Sequence, residues 1–386
     1  MALRSGPDPS RRKPVLVYLV TQDWYFMSHR IPMAHAAQLA GYDIHVITHV
    51  ENDGDAIEAF GFRVHPMNWR RGSINPFALF GNLRVVRQLY RKIDPDLVHH
   101  VALQPTIVGS LAANGLPCAR LNAVAGFGFV FTSATMKARL VRPLFRAVLR
   151  NVLGHARATV LVQNPDDRAA VKNLGVADDR IFTIAGSGVE TDRLMPLPEP
   201  AGLATMAFVG RLLDDKGIRT LVHAHEILVR RGQPVRLLIA GEPDPANPGS
   251  IPTEEIAEWS RRPGIEVLGQ VSNIGDVWKA AHIAVLPSRR EGLPKSLLEA
   301  AAFGRPIVAT DVPGCREIAR PGVNAILVPP DDAEALAEAV GRLARDKDLR
   351  REFGEAGRRL VESEYSAKRI GADIVALYDH LLGRKS

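Results

Sequence analysis

The sequence predicts an α/β protein with two doubly wound, Rossmann-like domains that face each other across a cleft. Three observations lead to this prediction. Short apolar runs without polar alternation recur along the chain and are separated by amphipathic helices, a pattern typical of parallel strands covered on both faces. Both halves open with the same order of strand, polar loop, helix and strand. A chain of 386 residues also exceeds the size of one ordinary core.

The first domain is predicted to span residues 1–196. Its opening strand is followed by a polar loop and by a helix over residues 30–40, which ends at Gly41. Ligands bind beyond the carboxyl ends of strands in such sheets, so the polar loops are the places to search for a site. The predicted strands are 14–20, 42–48, 96–100 and 158–162.

The second domain is predicted to span residues 197–366. Three prolines in the segment 194–201 indicate a linker before it. Its first helix, residues 218–231, is stopped by Gly232, and a last amphipathic segment, 367–386, is predicted to pack back on the first domain as a helix. The predicted strands are 205–210, 235–240, 264–268, 283–287, 306–309 and 325–328.

The composition is that of a globular protein, with 46% hydrophobic and 24% charged residues. No apolar run reaches the roughly 20 residues that span a bilayer. The basic Arg11-Arg12-Lys13 precedes an apolar run that is too short for a signal peptide, so the run is interpreted as the first strand and a cytoplasmic location is expected. The two cysteines, Cys118 and Cys315, have no metal-ligand spacing and are expected to be buried.

The positive charge is concentrated in the first half of the chain. Lys and Arg number 23 against 16 Asp and Glu in residues 1–200, and 26 against 26 in residues 201–386. Residues 101–165 hold seven basic residues and no acid. This asymmetry predicts an anionic partner for the first domain only.

The stretch SRREGLPKSLLEAAAFGRP, residues 288–306, predicts a site for a diphosphate. It follows a predicted strand, and Pro294 suits the first turn of a helix that Gly304 ends. Backbone N–H groups at a helix N-terminus attract anions, and Gly292 leaves no side chain between that backbone and a ligand. Glu299 is placed to accept hydrogen bonds from a ribose, and Glu291 to lie near the group beyond the phosphates. A loop glutamate and a solvated helix glutamate are the alternative.

Two further loops of the second half strengthen this interpretation. Arg211 and Lys216 follow the first strand of the domain, where a guanidinium and an ammonium suit the same phosphates. The glycine-containing loop 184–196 is expected at the lip of the cleft.

These residues resemble the retaining nucleotide-sugar glycosyltransferases of family 4, which have the GT-B fold. The resemblance covers nearly the whole chain. In the second half it is carried by Gly210-Arg211, Lys216-Gly217, Glu291-Gly292-Leu293-Pro294, Glu299-Ala300, Gly304-Arg305-Pro306, Thr310-Asp311-Val312-Pro313-Gly314 and Glu317.

The resemblance implies roles for individual residues of the second domain. Arg211 and Lys216 match residues that bind the donor diphosphate, and Glu299 matches the residue that binds the ribose. Glu291 matches a residue beside the donor sugar, and Val271 lies where the backbone contacts the base. With Gly292, Leu293, Pro294 and Lys295 these residues form the predicted donor site, in which Arg211, Lys216 and Glu291 are the catalytic candidates.

The first half resembles the branch that builds capsule, exopolysaccharide or lipopolysaccharide repeat units on a polyprenyl diphosphate. The stretches DWYFMSHRIPMA, PDLVHHVALQPTIVGSLAA and NAVAGFGFVF carry this resemblance. Residues 26–30 replace the Gly-Gly turn of many members, and residues 124–126 lack the usual active-site histidine. His29, His99 and His100 are therefore candidates for a contact in the cleft, against the alternative of structural histidines. Ser28, His29, Arg30 and His100 are the predicted acceptor-side residues.

The function implied is transfer of a sugar, with retention, from a nucleoside diphosphate donor to a polyprenyl-diphosphate-linked saccharide. UDP is favoured over GDP, and no metal or other cofactor is expected. Asp94-Pro95-Asp96 resembles a metal motif of another glycosyltransferase fold but precedes a strand, the wrong end for a ligand. The alternatives are a nucleotide-sugar 2-epimerase, disfavoured because residues 101–165 offer no acid, and a non-catalytic sugar-nucleotide-binding subunit.

A membrane contact is predicted for the helix 136–153. Arg139, Arg142, Arg146 and Arg150 lie on one stripe of this helix, and apolar residues cover the rest. Such a helix, here Lys137 to Arg150, can lie on an anionic membrane surface, which would place the protein on the cytoplasmic face of the inner membrane. A core helix with exposed arginine heads is the alternative. No nucleic-acid recognition motif is visible.

Overall fold

The computed structural model describes residues 12–69, 76–124, 136–245 and 247–384. The chain divides into two compact units, Met1–Ile184 with Gly371–Ser386, and Ala185–Ile370. Each unit is built around one parallel sheet, which confirms the predicted α/β class.

The first unit contains a sheet of seven parallel strands in the order β3-β2-β1-β4-β5-β6-β7. Its strands are β1 (Val15–Gln22), β2 (Asp43–His49), β3 (Arg63–Pro66), β4 (Leu97–Val101), β5 (Ala119–Ala123), β6 (Ala158–Val162) and β7 (Ile181–Thr183). Its helices are α1 (Asp23–His29), α2 (Ile31–Leu39), α3 (Gly54–Ala59), α4 (Pro76–Ile93), α5 (Leu103–Ala112), α6 (Met136–Leu153) and α7 (Pro165–Lys172). Strands β4 and β6 are buried along their whole length, as expected of a sheet covered on both faces.

Helix α1 occupies the segment where the sequence predicted a polar loop. Its first residue, Asp23, is fully buried and accepts hydrogen bonds from the backbone N–H groups of Glu51, Asn52 and Asp53 at 2.7–2.9 Å. Burial alone would raise the pKa of Asp23, but these N–H donors hold it below its ordinary value. The acid therefore fixes the loop after β2 to the end of β1, a contact between distant segments that local sequence does not show.

Three strands, β3, β5 and β7, were missed from the sequence. Strand β5 carries Arg120 and Asn122, which interrupt the apolar pattern, yet both are buried. The Arg120 guanidinium donates to the carbonyl oxygens of Ser110 and Ala113 at the end of α5, at 3.1 and 2.7 Å. A strand that buries polar side chains against such partners gives no apolar signal.

The second unit contains a sheet of six parallel strands in the order β10-β9-β8-β11-β12-β13, the same winding as in the first. Its strands are β8 (Thr205–Val209), β9 (Arg236–Ala240), β10 (Ile265–Gly269), β11 (Ile283–Leu286), β12 (Ile307–Thr310) and β13 (Ala325–Val328). Its helices are α8 (Ile218–Arg230), α9 (Thr253–Ser260), α10 (Ile274–Ala280), α11 (Lys295–Ala302), α12 (Pro313–Ile318), α13 (Ala333–Arg345) and α14 (Lys347–Glu364). A last helix, α15 (Ala367–Leu381), starts in the second unit and continues into the first.

The proline-rich segment predicted as the linker belongs to the second unit. Leu197 donates its N–H to the Phe303 carbonyl at 3.2 Å, and Arg350 pairs with Glu199 at 2.5 Å. Arg358 also donates to the carbonyl oxygen of Leu194. These bonds hold the segment on α11 and α14. The division between the two units therefore falls at Ile184–Ala185, whereas the sequence predicted it after residue 196.

Helix α15 packs on the first unit through a chain of buried hydroxyl groups. The Tyr378 hydroxyl is 2.7 Å from the hydroxyl of Tyr18 in β1 and 2.7 Å from Nδ1 of His99 in β4. The Tyr42 hydroxyl donates to Asp379 at 2.7 Å. These contacts tie residues 371–384 to the centre of the first sheet.

Helix α6 is partly buried in the core of the first unit. Leu149, Val152 and Leu153 pack into that core, whereas Arg146 and Arg150 are exposed. In this half of the helix the apolar face is therefore covered by protein, as in the alternative of a core helix with exposed arginine heads. The side chains of Lys137, Arg139 and Arg142 lie outside the described residues, as do residues 125–131 of the NAVAGFGFVF stretch. Over the described ranges, no helix combines the length and apolarity needed to cross a membrane.

Candidate active site

The predicted donor-site residues lie in loops at one edge of the second sheet. Strand β11 pairs in parallel with both β8 and β12, so the loops that follow these three strands emerge side by side. The Arg289 N–H donates to the Asp215 carbonyl at 2.9 Å, which joins the loop after β11 to the loop after β8. The Arg290 guanidinium also pairs with the Asp215 carboxylate, which joins residues 75 positions apart in the sequence.

Arg211 follows β8 and forms an ion pair with Asp244, which lies in the loop after β9. Its Nη1 donates to Asp244 Oδ2 at 2.6 Å, with the arginine side chain 39% exposed and the aspartate 14% exposed. The backbone N–H of Asp244 donates to Ser250 Oγ at 2.9 Å, which fixes the backbone of this loop at Asp244. Asp244 was missed from the sequence, because nothing in a Pro- and Gly-rich loop marks it as a partner of Arg211.

Lys216 and Glu291, two predicted catalytic residues, form an ion pair with each other. Lys216 Nζ is 2.7 Å from Glu291 Oε1, and the carboxylate side chain is only 8% exposed. The buried hydroxyl of Ser288 donates to the same oxygen at 2.6 Å. An ammonium, a carboxylate and a hydroxyl are thus fixed within one hydrogen-bonded group.

Helix α11 begins at Lys295, and Pro294 is its N-cap rather than a residue of its first turn. Gly292 and Leu293 lead into this N-terminus, where free N–H groups carry partial positive charge. Glu299 lies one turn inside the helix, and its side chain is 14% exposed. Its Oε1 is 3.4 Å from Lys295 Nζ. Burial raises the pKa of Glu299, and Lys295 opposes that shift.

Two glycines allow the loops to approach this closely. A Cβ at Gly314, in the first turn of α12, would lie 2.3 Å from the Gly292 carbonyl oxygen, and a Cβ at Gly217 would lie 2.0 Å from that of Pro287. Gly217 also has a φ of 67°, in the left-handed region. The backbone contacts around Glu291 therefore depend on the absence of side chains at these positions.

Val271, the residue predicted near the base, lies in the loop after β10 at a cavity of about 400 Å³. The cavity also reaches Gln270, Ser272 and Leu268. Gly186, from the predicted lip loop, packs on Leu293: a Cβ at this glycine would lie 2.5 Å from the leucine Cδ2. The lip loop therefore contacts the entrance of α11 within the second unit.

On the first unit, Ser28 and His29 lie at the end of α1 and are half-buried. Ser28 Oγ is 2.5 Å from His29 Nδ1, and the His29 ring stacks on Tyr25 with ring centroids 4.3 Å apart. The orientation of the imidazole is therefore fixed by Ser28 and Tyr25, which are close to it in the chain.

Arg30 and His100 are both buried. Arg30 is 3% exposed, and its Nη1 lies 3.4 Å from the Met33 sulfur. His100 has one ring nitrogen 3.0 Å from the Tyr90 hydroxyl and the other 2.8 Å from Asn122 Oδ1. Burial lowers the pKa of His100 to about 4, so the ring is neutral at pH 7. In this structure His100 is a structural histidine rather than an exposed contact.

The second-unit loops have the chemistry to hold a diphosphate ester. Arg211, Lys216 and the N-terminus of α11 supply positive charge, and Glu291 and Glu299 supply acceptors for hydroxyl groups. Ser288 and Gly314 complete the arrangement by fixing the carboxylate and the backbone around it.

Both halves of the chain match glycosyltransferase family models. Residues 16–160 match the family described as Glycosyl transferase 4-like, and residues 204–346 match Glycosyl transferases group 1. The two matched segments do not overlap and correspond to the two units of the structure.

Known proteins resemble the chain over part or nearly all of its length. The capsular polysaccharide biosynthesis glycosyltransferase CapM of Staphylococcus aureus is 29% identical over 177 residues, 46% of each protein. The N,N'-diacetylbacillosaminyl-diphospho-undecaprenol alpha-1,3-N-acetylgalactosaminyltransferase of Campylobacter jejuni is 24% identical over 379 residues, 92% of this chain and 98% of that protein. The structure of HepE from Anabaena in complex with UDP has a TM-score of 0.76 at 14% identity and covers 95% of this chain and 100% of its own. The chain therefore belongs to the group 1, family 4-like glycosyltransferases and has their GT-B fold.

Proposed function

We propose that this glycosyltransferase transfers a sugar from a UDP-sugar, with retention and without a metal ion, to a lipid-linked saccharide in the synthesis of a surface polysaccharide. The observation that carries the proposal is the grouping of Arg211, Lys216 and Glu291 at the N-terminus of α11. The relatives add support, since one is named for capsular polysaccharide and another for an undecaprenol diphosphate acceptor. The UDP complex of HepE favours UDP as the leaving group.

The donor diphosphate is proposed to lie between the two cations and the helix terminus. Because Lys216 pairs with Glu291 at 2.7 Å, the ammonium is held where it can neutralise a phosphate, and the carboxylate is held beside the sugar. Glu299 then accepts hydrogen bonds from the ribose hydroxyls. Arg211 then binds a phosphate oxygen of the donor, either in place of the Asp244 carboxylate or together with it.

The proposed step breaks the bond between the sugar C1 and the diphosphate oxygen. The electron pair stays on UDP, whose growing negative charge is stabilised by Arg211, Lys216 and the N–H groups of α11. The acceptor hydroxyl attacks C1 from the same face, and its proton passes to a phosphate oxygen of the departing UDP. The configuration at C1 is thereby retained, and no protein carboxylate becomes covalently bound.

Incubation with individual UDP-sugars tests the proposal. We expect one UDP-sugar to raise the melting temperature and to release UDP slowly, because donor hydrolysis accompanies sugar transfer when no acceptor is present. A ligand at 100 times its Kd adds about 2.7 kcal/mol to the free energy of unfolding, so a thermal-shift screen identifies the donor first. GDP-sugars are the matched controls. Stabilisation by a UDP-sugar without release of UDP, even with lipid-linked saccharides, would indicate a binding subunit instead.

The lipid-linked acceptor leads to a second part of the proposal, attachment to anionic membranes through α6. Arg146 and Arg150 are exposed on this helix, while Leu149 and Val152 are in the core. This half of the helix therefore contributes to membrane binding through charge alone. Each basic residue near an anionic surface contributes about 1 kcal/mol to the free energy of binding, and salt weakens this contribution.

Replacing Arg139, Arg142, Arg146 and Arg150 together by glutamine is expected to move the protein into the soluble fraction. The same variant should lose activity on lipid-linked acceptor in vesicles and keep its affinity for UDP. Flotation with anionic and with neutral liposomes, at low and at high salt, measures the effect. Substituting four exposed arginines of the second unit, Arg230, Arg231, Arg261 and Arg342, by glutamine is the control for net charge. Equal flotation of wild type and the α6 variant would remove this helix from the proposal.

A further inference from the structure

A second cavity lies in the second unit, at the end of the sheet opposite to the donor-site loops. It has a volume of about 570 Å³ and is bordered by His282 and Pro306, which immediately precede β11 and β12. The donor-site loops follow the same two strands. Since each strand has four residues, the two places are separated by roughly 13 Å of strand. The cavity is therefore distinct from the candidate active site.

The residues that line this cavity are strongly basic. Six are arginine or lysine and two are glutamate, and one of the glutamates, Glu199, is already paired with Arg350 through both of its oxygens. The basic residues are Arg305, Lys347, Arg350, Arg351, Arg358 and Arg359. An excess of cations around one concave surface attracts anions.

Three of these cations, Arg305, Arg350 and Arg358, have a structural task at the base of the cavity. Arg350 donates to the carbonyl oxygens of Leu343 and Ala344, and Arg358 to that of Ala302. These bonds hold the segment 194–199 and α14 in place. They also order the guanidinium groups before any ligand arrives, so little side-chain entropy remains to be lost on binding.

Arg305 is the most deeply buried of these three cations. It is 3% exposed and borders the cavity, yet within the described ranges no carboxylate lies within ion-pair distance of it. Its Nε donates to the Trp278 carbonyl at 2.9 Å and its Nη2 to the Pro198 carbonyl at 2.9 Å. Burial lowers its pKa to about 10, against the opposing effect of the Glu199 carboxylate, so the guanidinium stays charged at pH 7.

The other three cations, Lys347, Arg351 and Arg359, are exposed at the rim along one face of α14. Lys347 and Arg351, four residues apart, are neighbours on the helix surface, and Arg359 lies about two turns further along. Arg351 forms an ion pair with Asp348 at 3.1 Å, and Arg359 forms one with Glu355 at 3.9 Å. Ion pairs between such exposed side chains contribute little stability. Pro196, Leu197 and Pro198 provide an apolar wall next to them.

We propose that this cavity binds a phosphorylated small molecule, whose phosphate is held by Arg305 and the α14 rim and whose ring lies on the proline wall. The volume suits a ligand of the size of a sugar phosphate or a mononucleotide. Guanidinium groups bind phosphate in bidentate geometry, and the wall covers a ring of low polarity. This site is independent of the donor site and does not require the proposed transfer reaction.

Calorimetric titration with glucose 6-phosphate and with inorganic phosphate, at constant ionic strength, tests the proposal. We expect millimolar or tighter binding of both to the wild-type protein, stronger for the sugar phosphate. The triple substitution Lys347→Gln, Arg351→Gln and Arg359→Gln should weaken binding at least ~10-fold, because hydrogen bonds to charged groups are lost. The matched control replaces Arg230, Arg261 and Arg342, which are also exposed in this unit, by glutamine and should leave the affinity unchanged.

Hydrogen exchange measured with glucose 6-phosphate gives the location of binding. Slower exchange in residues 196–199 and 347–359 supports the proposal. Slower exchange in residues 288–295 instead would place the anion at the donor site, and the Lys216→Ala variant would then lose it. Either that result, equal affinities of the rim and control variants, or no binding by the wild-type protein overturns the proposal.

Discussion

Replacement of Lys216 by alanine is expected to lower the rate of sugar transfer at least ~100-fold, the effect of removing one preorganised donor to a developing charge. The Lys216 ammonium is fixed 2.7 Å from Glu291 and is 23% exposed, so bulk water does not replace it well. Arg211→Ala is expected to have an effect of the same size through the other side of the diphosphate. Initial rates with the donor identified by the thermal-shift screen provide the measurement.

The control for these variants is Lys279→Ala, which removes an exposed lysine from α10 of the same unit. Lys216→Ala also leaves the buried Glu291 carboxylate with one hydroxyl partner in place of an ammonium, which lowers stability. The melting temperature of the Lys216→Ala variant measures this loss, so a rate defect observed well below that temperature reflects catalysis. Near-normal rates in both single variants would contradict the donor-site assignment.

Glu299→Gln is expected to weaken the binding of UDP itself, whereas Glu291→Gln should leave UDP affinity intact and lower turnover. A carboxylate that accepts two ribose hydroxyls contributes ~1.5–3 kcal/mol for each bond. Because burial raises the pKa of Glu299, UDP affinity should also fall as the pH decreases through that pKa, and Glu299→Gln should remove this dependence. Calorimetry with UDP at several pH values separates the two glutamates, and equal losses of affinity would contradict the assignment of separate roles.

The local structure of the candidate site could be predicted from the sequence because its signals are local. The strand before Ser288, the Gly292-Leu293-Pro294 turn and the helix that follows lie next to one another in the chain, as do the strand and loop around Arg211. Apolar runs, glycine and proline determine such short units largely by themselves. The predicted start of the helix was wrong by one residue, since Pro294 is the N-cap of α11 and Lys295 is its first residue.

Partners from distant segments could not be predicted. The pairing of Lys216 with Glu291 joins residues 75 positions apart, and that of Arg211 with Asp244 spans 33. His100 looked like a candidate contact, but Tyr90 and Asn122 enclose it in the folded chain. Helix α6 shows the same limit, since an apolar face looks identical in sequence whether lipid or core covers it.

The course of the backbone determines how this protein can be divided into fragments. The chain passes from the first unit to the second after Ile184 and returns before Gly371, so only the second unit is a continuous segment. A fragment that ends at Ile184 lacks Tyr378, and the buried Tyr18 hydroxyl and His99 Nδ1 lose their shared partner. Production of the first unit by itself therefore requires residues 371–384 to be joined to residue 184 by an artificial connection. Truncation at the carboxyl terminus, in turn, damages the domain at the amino terminus.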